Sequence, residues 1–296
     1  MGELIRCITD DGQVAISVIN STDIVAKAEA IHKTSAVVTA ALGRLLTAGA
    51  LMGAQLKSEG NTITLRINAD GEIGNMSVVA DYNGNVRGVI DNPIVELPLN
   101  SVGKLDVGGA VGDGFLYVTK DLGLKEPYNG AVKLVSGEIA EDIASYYAKS
   151  EQIPTVCALG VLVNPDLTVK FAGGYLIQLL PFASDEAIDK VEKSISSLPS
   201  VTQMMSDGLT PFEIAKKVLS EFNIEKLDGS IAEYKCNCSR ERTVKILKSI
   251  GKDELNNLAK EKESTKVECH FCKKVYTFEA DELIRIAEKI EKPTIN

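Results

Sequence analysis

The chain has 296 residues, 45 % of them hydrophobic, with six cysteines and a formal net charge of −9. That size and apolar content suit two domains with at least one full core. The acidic balance argues against nucleic acid as the main partner, because binding there depends on neutralising phosphates.

No stretch reaches the roughly 20 consecutive apolar residues of a membrane span, so no membrane partner is expected. The N-terminus, Met1-Gly2-Glu3-Leu4-Ile5-Arg6, lacks the charged-then-apolar order of a signal peptide. Cysteines clustered as metal ligands fit a reducing compartment, and a cytoplasmic location is expected.

The first element reads as a β-hairpin, Leu4 to Thr9 and Val14 to Ile19 around Asp10-Asp11-Gly12. Ser21 or Thr22 can cap a helix through Ile24, Ala28 and Ile31. Thr34-Ser35 can cap an alanine-rich helix whose wide apolar stripe (Val38, Leu42, Leu45, Leu46, Leu51) suits burial against a sheet. From Thr62 the period changes to two, and Asp70-Gly71 and Asn83-Gly84 mark hairpin turns in a meander ending near Ile90.

Val107 to Gly114 is glycine-rich but lacks the Gly-Lys-Ser/Thr ending of a phosphate loop, and it reads as a turn before the strand Phe115 to Val118. A strand Ala131 to Val135 leads into a helix from Glu138 to about Lys149. Strands Val156 to Val163, Thr168 to Ala172 and Tyr175 to Leu180 follow, the last two separated by Gly173-Gly174. The expected class is α+β, with a first domain, 1–182, of antiparallel sheets and a few helices.

Residues 183–230 carry two amphipathic patterns and read as a helical linker. Ile188, Val191 and Ile195 form one stripe; Ile214, Val218, Leu219 and Phe222 form the other, opened by the capping box Thr210-Pro211-Phe212-Glu213. Two readings stand: helices packed on the first domain, or a detachable segment whose apolar faces, with Met204 and Met205 between them, become a binding surface.

The last segment, 231–296, holds Cys236-Asn237-Cys238 and Cys269-His270-Phe271-Cys272, two close pairs thirty residues apart. Four thiols in two tight turns are what a tetrahedral zinc site needs. The apolar set around them is sparse, and a domain this small commonly needs a metal or disulfide staple.

Two readings of the quartet are open, an inert structural zinc site or a reactive switch. The thiolates that hold a metal are also the form oxidants attack, and Lys235, Arg240, Arg242, Lys273 and Lys274 flank them. If the metal leaves, each pair can close on itself, although the sequence does not fix the connectivity. His270 reads as an exposed neighbour, Cys7 and Cys157 as small core residues, and His32 as structural. No hydrolase elbow, paired-carboxylate signature or histidine metal motif is present, so catalysis is not expected.

These residues resemble the heat shock protein 33 family. The zinc-centre motif Cys236-Asn237-Cys238-Ser239-Arg240-Glu241-Arg242 with Cys269 to Cys272 carries the resemblance. Ile31-His32-Lys33-Thr34-Ser35, Ser150 to Thr155 and Ala172 to Pro181 extend it over the first domain.

The resemblance implies an ATP-independent holdase, inactive when reduced and zinc-bound, with Cys236, Cys238, Cys269 and Cys272 as ligands of one zinc ion. Oxidation would form the disulfides Cys236–Cys238 and Cys269–Cys272, release zinc and unfold the C-terminal region and linker. Unfolding client proteins would then bind, and a homodimer is associated with the active form. Ile188, Val191, Ile214, Val218 and Phe222 are the expected client surface. Two alternatives are a zinc-ribbon nucleic-acid binder, suggested by the local basic residues, and a thiol–disulfide oxidoreductase using Cys269-x-x-Cys272. The β-type run Val275-Tyr276-Thr277-Phe278 after that motif argues against the second.

Overall fold

The structure is a computed structural model, and it describes residues 2–290, so the end of the 231–296 segment lies outside the described residues. The chain forms two compact units, one running to Lys235 and one starting at Cys236. The first contains β1 (Gly2–Thr9), β2 (Val14–Asn20), α1 (Thr22–His32), α2 (Ala36–Gly53), β3 (Thr62–Ala69), β4 (Met76–Asp81), β5 (Val86–Ile90) and α3 (Val107–Val111). It continues with β6 (Gly114–Asp121), β7 (Tyr128–Lys133), α4 (Ala140–Tyr146) and a π-helical turn (Tyr147–Glu151). Then come β8 (Thr155–Val163), β9 (Val169–Leu179), α5 (Asp185–Ile195), α6 (Val201–Ser206), α7 (Pro211–Val218) and β10 (Ile224–Ala232).

Two five-stranded antiparallel sheets result, in the orders β10-β1-β2-β9-β8 and β5-β4-β3-β6-β7. Helix α2 packs against strands of both. Its alanines and leucines are buried on every side, which explains a stripe too wide for a surface helix. By length and mean hydropathy (1.5 over 18 residues) α2 could cross a membrane, but 89 % of it is buried inside the protein, as in a core helix. The outer face of the first sheet is covered by α5, α6 and α7. Val191, Val201, Met204, Ile214 and Val218 there meet Ile5, Cys7, Val14, Ile16, Val18 and Ile177.

The α+β class with antiparallel sheets is the observed one, and four local expectations change. Val107–Val111 is a short helix rather than a turn, because the Asp106 carboxylate accepts from the Gly109 N–H and caps it. The helix expected from Glu138 to Lys149 is α4 only as far as Tyr146 and then widens into the π-helical turn. The two strands expected around Gly173-Gly174 are the single strand β9. Those glycines allow close approach instead of breaking the strand: a Cβ on Gly174 would lie 2.7 Å from the Ala158 carbonyl oxygen and 3.1 Å from Thr47 of α2.

Leu227-Asp228-Gly229-Ser230, where the composition suggested a boundary, lies inside β10. The strand pairs with β1, and the Arg6 guanidinium hydrogen-bonds both Asp228 carboxylate oxygens and holds that acid below its usual range. Beyond β10 the chain crosses to the edge of the other sheet. There Val86 N–H donates to Glu233 O (2.9 Å), and Lys235 N–H donates to Val86 O (2.8 Å).

The second unit contains α8 (Arg240–Ser249), α9 (Lys252–Glu261), the hairpin β11 (Ser264–Glu268) and β12 (Val275–Glu279), and α10 (Ala280–Glu288). Its core is small: Leu247, Leu255, Tyr276, Phe278, Leu283, Ile286 and Ala287.

Candidate metal centre

Each cysteine pair is held by a different local device. Cys236 and Cys238 lie just before α8, where the Ser239 hydroxyl accepts from the Arg242 N–H as N-cap and the Arg242 guanidinium donates to the Asn237 carbonyl at 3.0 Å. Cys269 and Cys272 sit in the loop of the β11–β12 hairpin. Cys269 N–H donates to Lys274 O (2.9 Å) and Lys273 N–H to Cys269 O (2.8 Å), closing a tight knuckle with Lys273 at φ 58°.

The four Sγ atoms all lie within 4.8 Å of one another, and contacts of 3.7 Å (Cys236–Cys269) and 3.3 Å (Cys238–Cys272) run between the pairs. A tetrahedral zinc ion with Zn–S near 2.3 Å places its sulfurs about 3.8 Å apart, whereas a disulfide brings them to about 2 Å. The donor set therefore fits a thiophilic divalent cation held by one sulfur from each of four cysteines. Closure within a pair would require the unit to rearrange.

The thiols are unequal. Burial opposes ionisation of Cys238, but the Tyr276 hydroxyl donates to its Sγ at 3.2 Å and neighbouring thiols add to this, bringing its pKa down to about 7. Burial raises Cys236 and pushes Cys272 up to about 12. Tyr276 was legible in the sequence only as a strand residue; its bond to the Cys238 sulfur had no sequence signal.

The flanking basic residues are mostly engaged within the unit. Arg240 lies 4.3 Å over the Phe278 ring and donates to Thr277 O and Glu282, and Lys273 pairs with Glu268 at 3.0 Å. His270 is exposed. Cys7 is buried in β1 and Cys157 is half-buried in β8, and burial raises both thiols, so neither is a poised nucleophile.

Of the five residues expected to form a client surface, Val191, Ile214 and Val218 are buried and Ile188 and Phe222 half-buried. Their apolar faces are spent on the first sheet inside the first unit. Exposing them requires the helices to leave that sheet. His32, read as structural, is buried with Nε2 3.2 Å from the Tyr234 hydroxyl, a pairing across 202 residues that no local pattern announces.

The family model described as Hsp33 protein matches residues 2–279. The 33 kDa chaperonin of Agathobacter rectalis is 46 % identical over 280 residues, covering 95 % of this chain and 97 % of that one. The 33 kDa chaperonin of Lachnoclostridium phytofermentans is 48 % identical over 280 residues, covering 95 % and 96 %. Among solved structures, the crystal structure of the 33 kDa chaperonin (heat shock protein 33 homolog) from Thermotoga maritima aligns with TM-score 0.88 at 37 % identity, over 97 % of this chain and 98 % of that one.

The fold and its four-thiol centre thus define a chaperone rather than an enzyme. The chain belongs to the heat shock protein 33 (Hsp33) family.

Proposed function

We propose that this chaperone is a redox-regulated, ATP-independent holdase of the cytoplasm, held inactive by one zinc ion on Cys236, Cys238, Cys269 and Cys272. The observation that carries the reading is the four-sulfur cluster inside a unit with so small a core. Zinc would act there as a structural staple, contributing folding energy and holding the thiols ionised. Two thiolates, one hydrogen peroxide and two protons from solvent yield one disulfide and two waters, so two equivalents of peroxide would convert the quartet into Cys236–Cys238 and Cys269–Cys272. A disulfide sulfur is no longer a thiolate donor, and the unit loses its staple.

Unfolding then spreads to residues 183–230, and α5, α7 and the turn after α7 release Ile188, Val191, Ile214, Val218 and Phe222 to hold unfolding clients, with a homodimer as the active form. The large apolar area these helices share with the first sheet supports this surface. The net charge of −9 favours protein clients over nucleic acid.

Hydrogen exchange over residues 185–218 compares the two states directly. Peroxide-treated protein is expected to lose protection there while α2 keeps it; equal protection of the linker in both states would remove the proposed surface.

A further inference from the structure

An antiparallel sheet with one solvated face normally turns polar side chains outward on it. The second sheet follows this rule with one departure. Helix α2 packs against its inner face, where Leu65, Val78, Leu116 and Val118 are fully buried. On the outer face β6 presents Phe115 and Tyr117, 47 % and 40 % exposed, with ring centroids 6.2 Å apart. Two large rings open to water, two residues apart on an internal strand, form a stacking surface and no core.

The strand register sets a cation beside each ring. Arg66 of β3 lies directly opposite Tyr117, and Lys133 of β7 directly opposite Phe115; both cations are exposed. Arg87 of β5 stands on the same face, two strands from β3. Thr64, Arg66, Asn68, Tyr117 and Thr119 line an open depression of about 320 Å³. Carboxylates stand only at one end of this face, in the row of Asp81 and Asp121, and each accepts from the backbone of its own turn.

A basic, aromatic and hydroxyl-bearing patch on a chain of net charge −9 is a local exception to the charge of the whole. The whole chain repels a polyanion at long range, so a site for one needs short-range contacts that salt does not screen. Base stacking on aromatic rings is such a contact. An acidic peptide would satisfy the cations and leave both rings without a planar partner. The order Gly114-Phe115-Leu116-Tyr117-Val118 is also that of the strand on which RNA-recognition sheets stack bases. It departs from that pattern at Asp113, Leu116 and Lys120, where a cation, a small residue and a third ring are usual. Leu116 points into the core, and the cations come from the neighbouring strands instead.

We propose that the outer face of the second sheet binds single-stranded nucleic acid, stacking two bases on Phe115 and Tyr117 and holding the adjoining phosphates with Lys133 and Arg66. Thr64, Asn68 and Thr119 offer hydroxyl and amide groups to base edges across the depression. A duplex has its base faces closed and meets only the cations. The site lies within the first unit and uses none of the four cysteines, so it does not rest on the holdase reading.

The test follows fluorescence anisotropy of a labelled oligouridylate of about 12 nucleotides with the full-length, reduced chain. Its deoxy form, a duplex RNA of the same length and polyglutamate are the comparison probes. Binding of either single strand upholds the site, and a preference between them names the source as RNA or DNA. The duplex is expected to bind at least about tenfold more weakly. Phe115→Ala and Tyr117→Ala should each weaken binding about tenfold with the melting midpoint unchanged, and Tyr117→Phe should bind like the parent. Log affinity should fall against log salt with a slope of about −1.4 to −2; Lys133→Gln flattens it by about 0.7, and Tyr117→Ala leaves it unchanged. No binding of either single strand at about 50 mM salt, or binding that both alanine variants leave unchanged, overturns the proposal. Equal binding of the duplex reduces the face to charge alone and overturns it too. Polyglutamate bound as tightly as the oligouridylate assigns the face to an acidic protein and overturns the nucleic-acid site.

Discussion

Adding zinc to metal-free, reduced protein is expected to fold Cys236 to Ile290 at one equivalent per chain while the first unit is unchanged. Among the described residues, the second unit's core consists of seven buried side chains, one of them alanine. Cores that small supply only a few kcal/mol against the chain entropy they must offset. A structural zinc site contributes roughly 10–16 kcal/mol in apparent binding energy, at or above the net stability of a typical domain. Cys238→Ser should act like metal removal, because it deletes one of the four clustered sulfurs and leaves the Tyr276 hydroxyl without its sulfur acceptor. Amide protection across α8, α9 and α10 measures the effect. Full protection in the metal-free protein would mean that the thiols are not the staple.

The second large effect is expected at Tyr234, the last aromatic side chain before the cysteines. Its ring is 3 % exposed, and its hydroxyl donates to Gly88 O at 3.0 Å and lies 3.2 Å from His32 Nε2. The backbone on either side is bonded to Val86, and Glu233 N–H reaches the Asn85 side chain at 3.1 Å. This seam ties the segment leading into Cys236 to the edge of the second sheet. Tyr234→Ala removes a buried aromatic ring and should cost about 3–5 kcal/mol, while Tyr234→Phe, which removes the hydroxyl's contacts with Gly88 O and His32 Nε2, should cost about 1–3 kcal/mol. Denaturant midpoints of the first unit give both values, and exchange at Lys235 should rise in step. Parent-like midpoints for Tyr234→Ala would show that the seam carries no load.

Much of the fold was legible because its signals are local. The period-two run from Thr62, the Thr210–Glu213 capping box and the two cysteine pairs each state their structure within a few residues, and all are present. What escaped depends on distant partners. Ser21 stands at the N-cap of α1, but its hydroxyl lies 2.7 Å from Thr47 of α2 and caps nothing. Gly173-Gly174 looked like punctuation, yet the residues that need its missing side chains come from α2, α6 and β8. Strand β10 was hidden for the same reason: its apolar pattern is weak, and pairing to β1 across more than 200 residues holds it in place. At the candidate metal centre the four clustered cysteines were readable and their environment was not, since the bond from Tyr276 to Cys238 exists only once the hairpin and the N-cap of α8 bring the pairs together.

Peroxide treatment of the reduced, zinc-loaded chain, followed at once by released zinc and by suppression of thermal aggregation of a test protein, bears most directly on the switch. The two signals should rise together, with reduced protein inert and reductant plus zinc restoring that state. Zinc loss with no gain in suppression, or full suppression by the reduced, zinc-loaded chain, would contradict a switch built on Cys236, Cys238, Cys269 and Cys272.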